Sequence, residues 1–142
     1  MIVVGIDGMY ESVLVATDGS GSANRAVEAA LDLASTFDAE LYAISVVDTR
    51  RYGESALSGS KNVVDDLEAR ATELLREVET RGDVTAVTEL RRGRPHVAIS
   101  NYADDIDADV IVLGNRGRGS GGEIGSTAER VVRFADRPVL TT

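Results

Sequence analysis

The 142-residue chain carries 24 acidic against 15 basic residues, for a formal net charge of −9, and 43% of it is hydrophobic. That is enough for one compact domain around a single core and too little for two ordinary ones. The absence of cysteine excludes disulfides, thiolate nucleophiles and cysteine metal sites, and a single histidine excludes a multi-histidine metal centre within one chain.

The charge has its own consequences. Lys61 is the only lysine, and an acid-rich, lysine-poor surface is repelled by a nucleic-acid backbone, so neither DNA nor RNA is an expected partner. No apolar run approaches ~20 residues and no basic segment leads into a signal-like stretch, so neither a membrane span nor export is expected, and the expected compartment is the cytoplasm. The acidic, halophilic-type balance implies lower stability at low salt, where self-repulsion is unscreened; a GC-rich genome favouring Arg over Lys explains part of it equally well.

In chain order, Val13 to Thr17 is a short apolar run ending in Asp-Gly-Ser, which predicts a buried parallel strand closed by a turn. From Ser22 to Phe37, Ala26, Val27, Ala30, Leu31 and Ala34 recur at helical spacing, with Ser20 or Ser22 as N-cap. Glu40 to Val47 reads as the second strand, and Asp48 to Ser60, rich in Gly, Ser and charge, as a loop with scope for function. Val63 to Thr80 forms a long amphipathic helix with Val64, Leu67, Ala71, Leu74, Leu75 and Val78 on one face, ended by Gly82. Val84 to Leu90 suits a third strand. Gly93-Arg-Pro95 opens a third helix, with Ala98, Ile99, Tyr102 and Ala103 facing inward. Val110 to Leu113, Ser126 to Phe134 and Val139 to Thr141 complete the series as strand, helix and short last strand. Alternating βα units require parallel strands with right-handed crossovers, hence a doubly wound α/β sheet with helices on both faces.

The most informative stretch runs from Val110 through Gly114, Gly117 and Gly125 to Ser126 and Thr127. An apolar strand empties into a glycine-rich loop that ends at a helix start. Glycines permit positive φ and expose backbone N–H groups on one side, and the helix opening adds unpaired donors and positive dipole character, so the stretch is suited to an anion. Arg116 and Arg118 are either phosphate partners or solvated loop charges. No lysine precedes Ser126 or Thr127, so this is not a Walker loop.

Gly114-x-x-Gly117 followed by Gly125-Ser126 resembles the nucleotide loop of the universal stress protein (UspA-type) family. Val13-Leu-Val-Ala-Thr-Asp18-Gly-Ser20 resembles its opening strand, Asp107-Ala-Asp109-Val-Ile-Val-Leu-Gly114 its fourth, and Arg137-Pro138-Val-Leu-Thr141 its closing strand. The resemblance implies a five-stranded sheet of order 3-2-1-4-5, Rossmann-like and of the adenine-nucleotide alpha-hydrolase-like type. It also implies one domain over residues 9–142, since Met9-Tyr-Glu-Ser-Val-Leu-Val matches how members begin. Residues 1–8 are then an N-terminal extension: either Met9 is the natural start, or Ile2 to Gly8, which echoes Val13 to Gly19, is strand-like. One departure concerns the loop itself. Arg118 to Ile124 supplies seven residues, two fewer than usual in the nucleotide-binding branch, which shortens the phosphate cradle.

Carried over position by position, the resemblance places Ala16 and Asp18 on the adenine and ribose side and Val46 against adenine through its backbone. Gly114, Gly117, Gly125, Ser126 and Thr127 hold ribose and phosphates. Asp18 suits a ribose hydroxyl or an outer-shell Mg contact, or is simply a strand-end turn residue. Ser126 is a helix cap, an anion donor, or both. The implied ligand is ATP or AMP, with or without Mg. The implied partner is a second copy, paired through the Pro138 to Thr142 edge; the alternative is a monomer with a short, blunted edge.

Catalysis has less support. His96 reads as structural, on the strand-three side away from the crevice, and Asp65-Asp66 and Asp104-Asp105 are adjacent on helices and so diverge. No triad or carboxylate pair stands out, and weak ATP hydrolysis from phosphate positioning is the most the chain supports. Three readings follow: an ATP-binding stress-response regulator whose occupancy modulates dimer or partner contacts, a non-ATP-binding dimeric interaction module, and a nucleotide-cleaving enzyme with no nameable base.

Overall fold

The computed structural model describes residues 10–49, 61–115 and 124–142. Its elements are β1 (Ser12–Ala16), α1 (Gly21–Phe37), β2 (Glu40–Val47), α2 (Lys61–Thr80), β3 (Ala86–Arg92), α3 (Pro95–Asp105), β4 (Val110–Leu113), α4 (Ser126–Phe134) and β5 (Val139–Thr141). The strands form one parallel sheet in the order β3-β2-β1-β4-β5, as expected for a doubly wound α/β fold. Winding runs outward from β1 through β2 to β3, then restarts on the other side of β1 with β4 and β5.

β1 shows why both faces must be covered. Val13, Leu14 and Val15 are all fully buried, yet successive side chains point to opposite faces of a strand. Val13 and Val15 join Ala26, Val27, Ala30 and Ala34 of α1 and Leu75 and Val78 of α2. Leu14 joins Ile99 and Tyr102 of α3 and Ala128 and Val131 of α4. Each fully buried aliphatic side chain contributes roughly 1.5–3 kcal/mol of transfer free energy, so the sheet is stable only as the centre of this sandwich. Among the described residues no helix is long and apolar enough to cross a membrane.

The sheet's amino edge is fastened by Asp109, whose carboxylate accepts the Glu11 and Ser12 N–H groups at 2.7 and 3.0 Å while its own N–H donates to Ser12 O. At the opposite edge of the fold, β3 departs from the predicted bounds. Val84 and Thr85 precede the β2–β3 ladder, which begins at Leu41↔Ala86 and continues to Val47↔Arg92. The strand expected from sequence stops at Leu90, whereas the observed one includes Arg91 and Arg92. They are tolerated because Arg91 pairs with Glu89 and Asp105, and Arg92 bonds Glu68 of α2 at 2.5 Å. That hydrogen bond holds the Glu68 carboxyl below its ordinary range.

The centre of the sheet depends on one close approach. A Cβ on Gly114, just after β4, would stand 2.6 Å from the Ser22 carbonyl carbon and 2.8 Å from the Ala23 nitrogen, both backbone atoms of the first turn of α1. Backbone cannot swing aside as a side-chain tip can. Gly114→Ala is therefore expected to lower the unfolding free energy by about 1–3 kcal/mol, the cost of forcing extra volume into a packed interior. Gly21→Ala is the control, since its added Cβ meets only the Arg25 guanidinium at 3.8 Å, and it should change stability by no more than about 0.5 kcal/mol. Urea titration of both variants checks the pair.

Candidate functional site

At the carboxyl ends of β1 and β4, where the winding reverses, a crevice of about 780 Å³ opens. Ligands of doubly wound sheets sit at such a point, and the volume lies within the ~300–1,000 Å³ range of small-molecule sites. Ala16, Asp18 and Val46 line one part of it; Gly114, Gly125, Ser126 and Thr127 line another. Every described residue that the resemblance assigns to a nucleotide thus lines one cavity. Arg116, Gly117 and Arg118 lie outside the described residues, as does most of the predicted Asp48 to Ser60 loop.

The β1 side is built by turn chemistry. Thr17 extends the strand by donating its N–H to Ile44 O at 3.0 Å. The Asp18 carboxylate then accepts the Ser20 N–H at 2.9 Å, closing an Asx turn through Gly19 at φ +81°, where a side chain would be strained. The turn reading and the ligand reading of Asp18 coexist, because one carboxylate oxygen serves the turn while the exposed side chain lines the cavity. Ser20 caps α1, its hydroxyl accepting the Ala23 N–H at 3.1 Å.

The β4 side differs from the sequence expectation. Gly114 does not adopt positive φ; it is needed for space, against α1. Gly125, at φ −70°, occupies the N-cap of α4 with no side-chain cap bond. Ser126 is therefore the first helical residue, not the cap, and it lines the crevice beside first-turn N–H groups that no side chain among the described residues satisfies. Asn115 draws the two ends of the glycine segment together: its carbonyl accepts the Gly125 N–H while its own N–H donates to the Thr142 main-chain oxygen at 2.8 Å.

Two further walls were not read from sequence. Leu67, Arg70 and Leu74 of α2 line the crevice, so part of the face expected to be core is a cavity wall. Their i, i+3, i+7 spacing was visible, but nothing local distinguished cavity from core. Pro95, His96 and Ile99 of α3 also line it, which corrects the expectation that His96 lies away from it. The reason is topological: α3 carries the chain from β3 to β4, crossing over β2 and β1, so its N-terminus overhangs the switch point. Arg130, one turn beyond Ser126, completes the α4 wall.

Chemically, the site combines aliphatic walls from Val46, Leu67 and Ile99, carboxylates at Asp18 and Asp48, and a helix opening with hydroxyls and N–H donors. That set suits a flat apolar group joined to a polyhydroxylated and anionic one. Among the described residues no three His, Asp or Glu side chains are grouped to hold a metal ion.

Comparison with known proteins agrees with this geometry. Residues 9–142 match the model of the Universal stress protein family. Universal stress protein MJ0531 of Methanocaldococcus jannaschii is 35% identical over 141 residues, spanning 94% of this chain and 82% of the relative. The solved universal stress protein UspA from Lactobacillus plantarum superposes with a TM-score of 0.84 at 32% identity, covering 93% of this chain and 97% of its own. A universal stress protein solved in complex with cAMP superposes with a TM-score of 0.73 at 28% identity, covering 94% and 97%.

Two of the crevice serines, Ser20 and Ser126, should separate by substitution. Ser20→Ala is expected to cost about 1 kcal/mol, the loss of an N-cap, whereas Ser126→Ala, which removes no cap, should stay within about 0.5 kcal/mol. Chemical denaturation of both variants measures the difference.

Proposed function

The chain belongs to the universal stress protein family, and on that premise we propose that it is an adenine-nucleotide-binding member that takes ATP or AMP in the β1–β4 crevice. The observation that carries the reading is the convergence of Ala16, Asp18, Val46, Gly114, Gly125, Ser126 and Thr127 on one cavity at the switch point. Residues far apart in sequence meet where the chemistry of a nucleotide needs them: aliphatic groups for the base, a carboxylate for ribose hydroxyls, and a helix start for phosphate. A relative of the same fold that holds cAMP supports an adenine nucleotide as the ligand class.

Magnesium fits as a companion of the nucleotide. The ion is commonly held by one or two carboxylates together with substrate phosphates, and Asp18 offers one carboxylate at the cavity wall. In this reading the residues here orient the phosphates and the protein acts as a regulator.

In this reading occupancy reports to the protein surface through β5. That strand is the sheet edge on the β4 side, with Leu140 exposed, and it is the edge through which a homodimer would form. Thr142, directly after it, accepts from Asn115 N–H and from the Ser22 hydroxyl at 3.2 Å. A ligand that engages Gly125 and the start of α4 thereby biases Asn115, then Thr142, then the dimer edge.

Calorimetric titration with ATP and AMP, with and without Mg, tests the reading. Wild type is expected to bind, and Asp18→Ala to weaken binding roughly tenfold or more through the loss of a charged hydrogen-bond acceptor. Folded, dimeric wild type that binds no adenine nucleotide contradicts it and leaves the interaction module.

A further inference from the structure

Six of the ten described arginines, Arg76, Arg81, Arg91, Arg92, Arg133 and Arg137, form ion pairs with carboxylates. In a chain of net charge −9 such partners are abundant. Arg70 and Arg130 have none among the described residues, and both line the crevice.

Their placement follows from the helices that carry them. Arg70 lies on the α2 face that also presents Leu67 and Leu74 to the cavity, and its guanidinium packs against the turn after β1, with Nη2 3.3 Å from where a Gly19 Cβ would stand. It therefore stands beside the Asp18 turn without pairing with Asp18. Arg130 lies four residues after Ser126 and three after Thr127, which puts all three on one side of α4. The neighbouring carboxylate on that helix, Glu129, is taken by Arg133. One cation thus stands at the β1 wall and the other along the helix whose start faces the cavity.

We propose that Arg70 and Arg130 form a two-sided clamp for the phosphate chain and make the crevice select nucleotides carrying di- or triphosphates over nucleosides and monophosphates. The inference rests on the nucleotide reading above and deepens it. A strongly acidic protein repels a polyanion at long range, so selective capture requires cations concentrated at the site itself. Guanidinium groups are suited to this because their planar forks match phosphate oxygens and stay charged at any working pH. The contribution is electrostatic, so selectivity for the longer phosphate chain falls as salt rises, while binding of the uncharged nucleoside is nearly insensitive to salt.

The test is calorimetry with adenosine, AMP and ATP on wild type, Arg70→Ala and Arg130→Ala, with thermal melts to establish that the variants are folded. Each variant is expected to lose roughly tenfold in ATP affinity while adenosine stays within about twofold, so the ATP-to-adenosine ratio collapses. ATP bound equally by wild type and both variants overturns the clamp and leaves the nucleotide reading standing. Equal losses for adenosine and ATP overturn it too, because the arginines would then be shaping the cavity. Wild type that binds neither compound removes the nucleotide reading and the clamp with it.

Discussion

The contact on which the rest depends is the approach of Gly114 to the first turn of α1. Because a Cβ there would collide with the Ser22 and Ala23 backbone, β4 can end directly over the start of α1 only with glycine at this position. That closeness lets Ser22 and Thr142 exchange hydrogen bonds, Ser22 Oγ to Thr142 O and Thr142 Oγ1 to Ser22 O, which fasten the end of β5 to the same turn. It also fixes Asn115, which spans from Thr142 to Gly125. The floor of the crevice, one edge of the sheet and both ends of the glycine segment are therefore set by one packing constraint.

The same geometry joins site to surface. In a parallel sheet every strand ends at one edge, so a ligand at the switch point touches the ends of several elements at once. The crevice wall includes Gly125, whose N–H donates to the Asn115 carbonyl, and Asn115 in turn bonds Thr142 directly after the edge strand β5. A ligand transmits only what it binds differently in two states, and the short path from Gly125 through Asn115 to Thr142 is where such a difference would be expressed.

Much of this was legible in sequence, for identifiable reasons. The alternation of apolar runs with helically spaced alanines and leucines marks the nine elements of the described residues, and Val13 to Val15 and Val110 to Leu113, with no polar face to expose, must be central. Predictions failed where position depends on distant chain. The bounds of β3 follow β2's register rather than its own composition, and Arg91 and Arg92 belong to it because carboxylates of Glu89, Asp105 and Glu68 lie opposite. His96 was placed away from the site because its neighbours in sequence say nothing of α3 crossing the sheet. Arg70 and Arg130 line the crevice, and nothing in their local sequence sets them apart from solvent-facing helical arginines. Glycine at 114 is required by packing against α1 rather than by positive φ, which local sequence does not distinguish.

The central claim is that one crevice, between the ends of β1 and β4, is where an adenine nucleotide sits. Backbone amide NMR during ATP titration tests it most directly. The account predicts progressive shifts at Asp18 to Ser20, Val46, Gly114 and Gly125 to Thr127, extending to Asn115 and Thr142, with the β3 edge around Val87 unchanged. Shifts clustered at that β3 edge, or a spectrum that ATP leaves untouched, would contradict it.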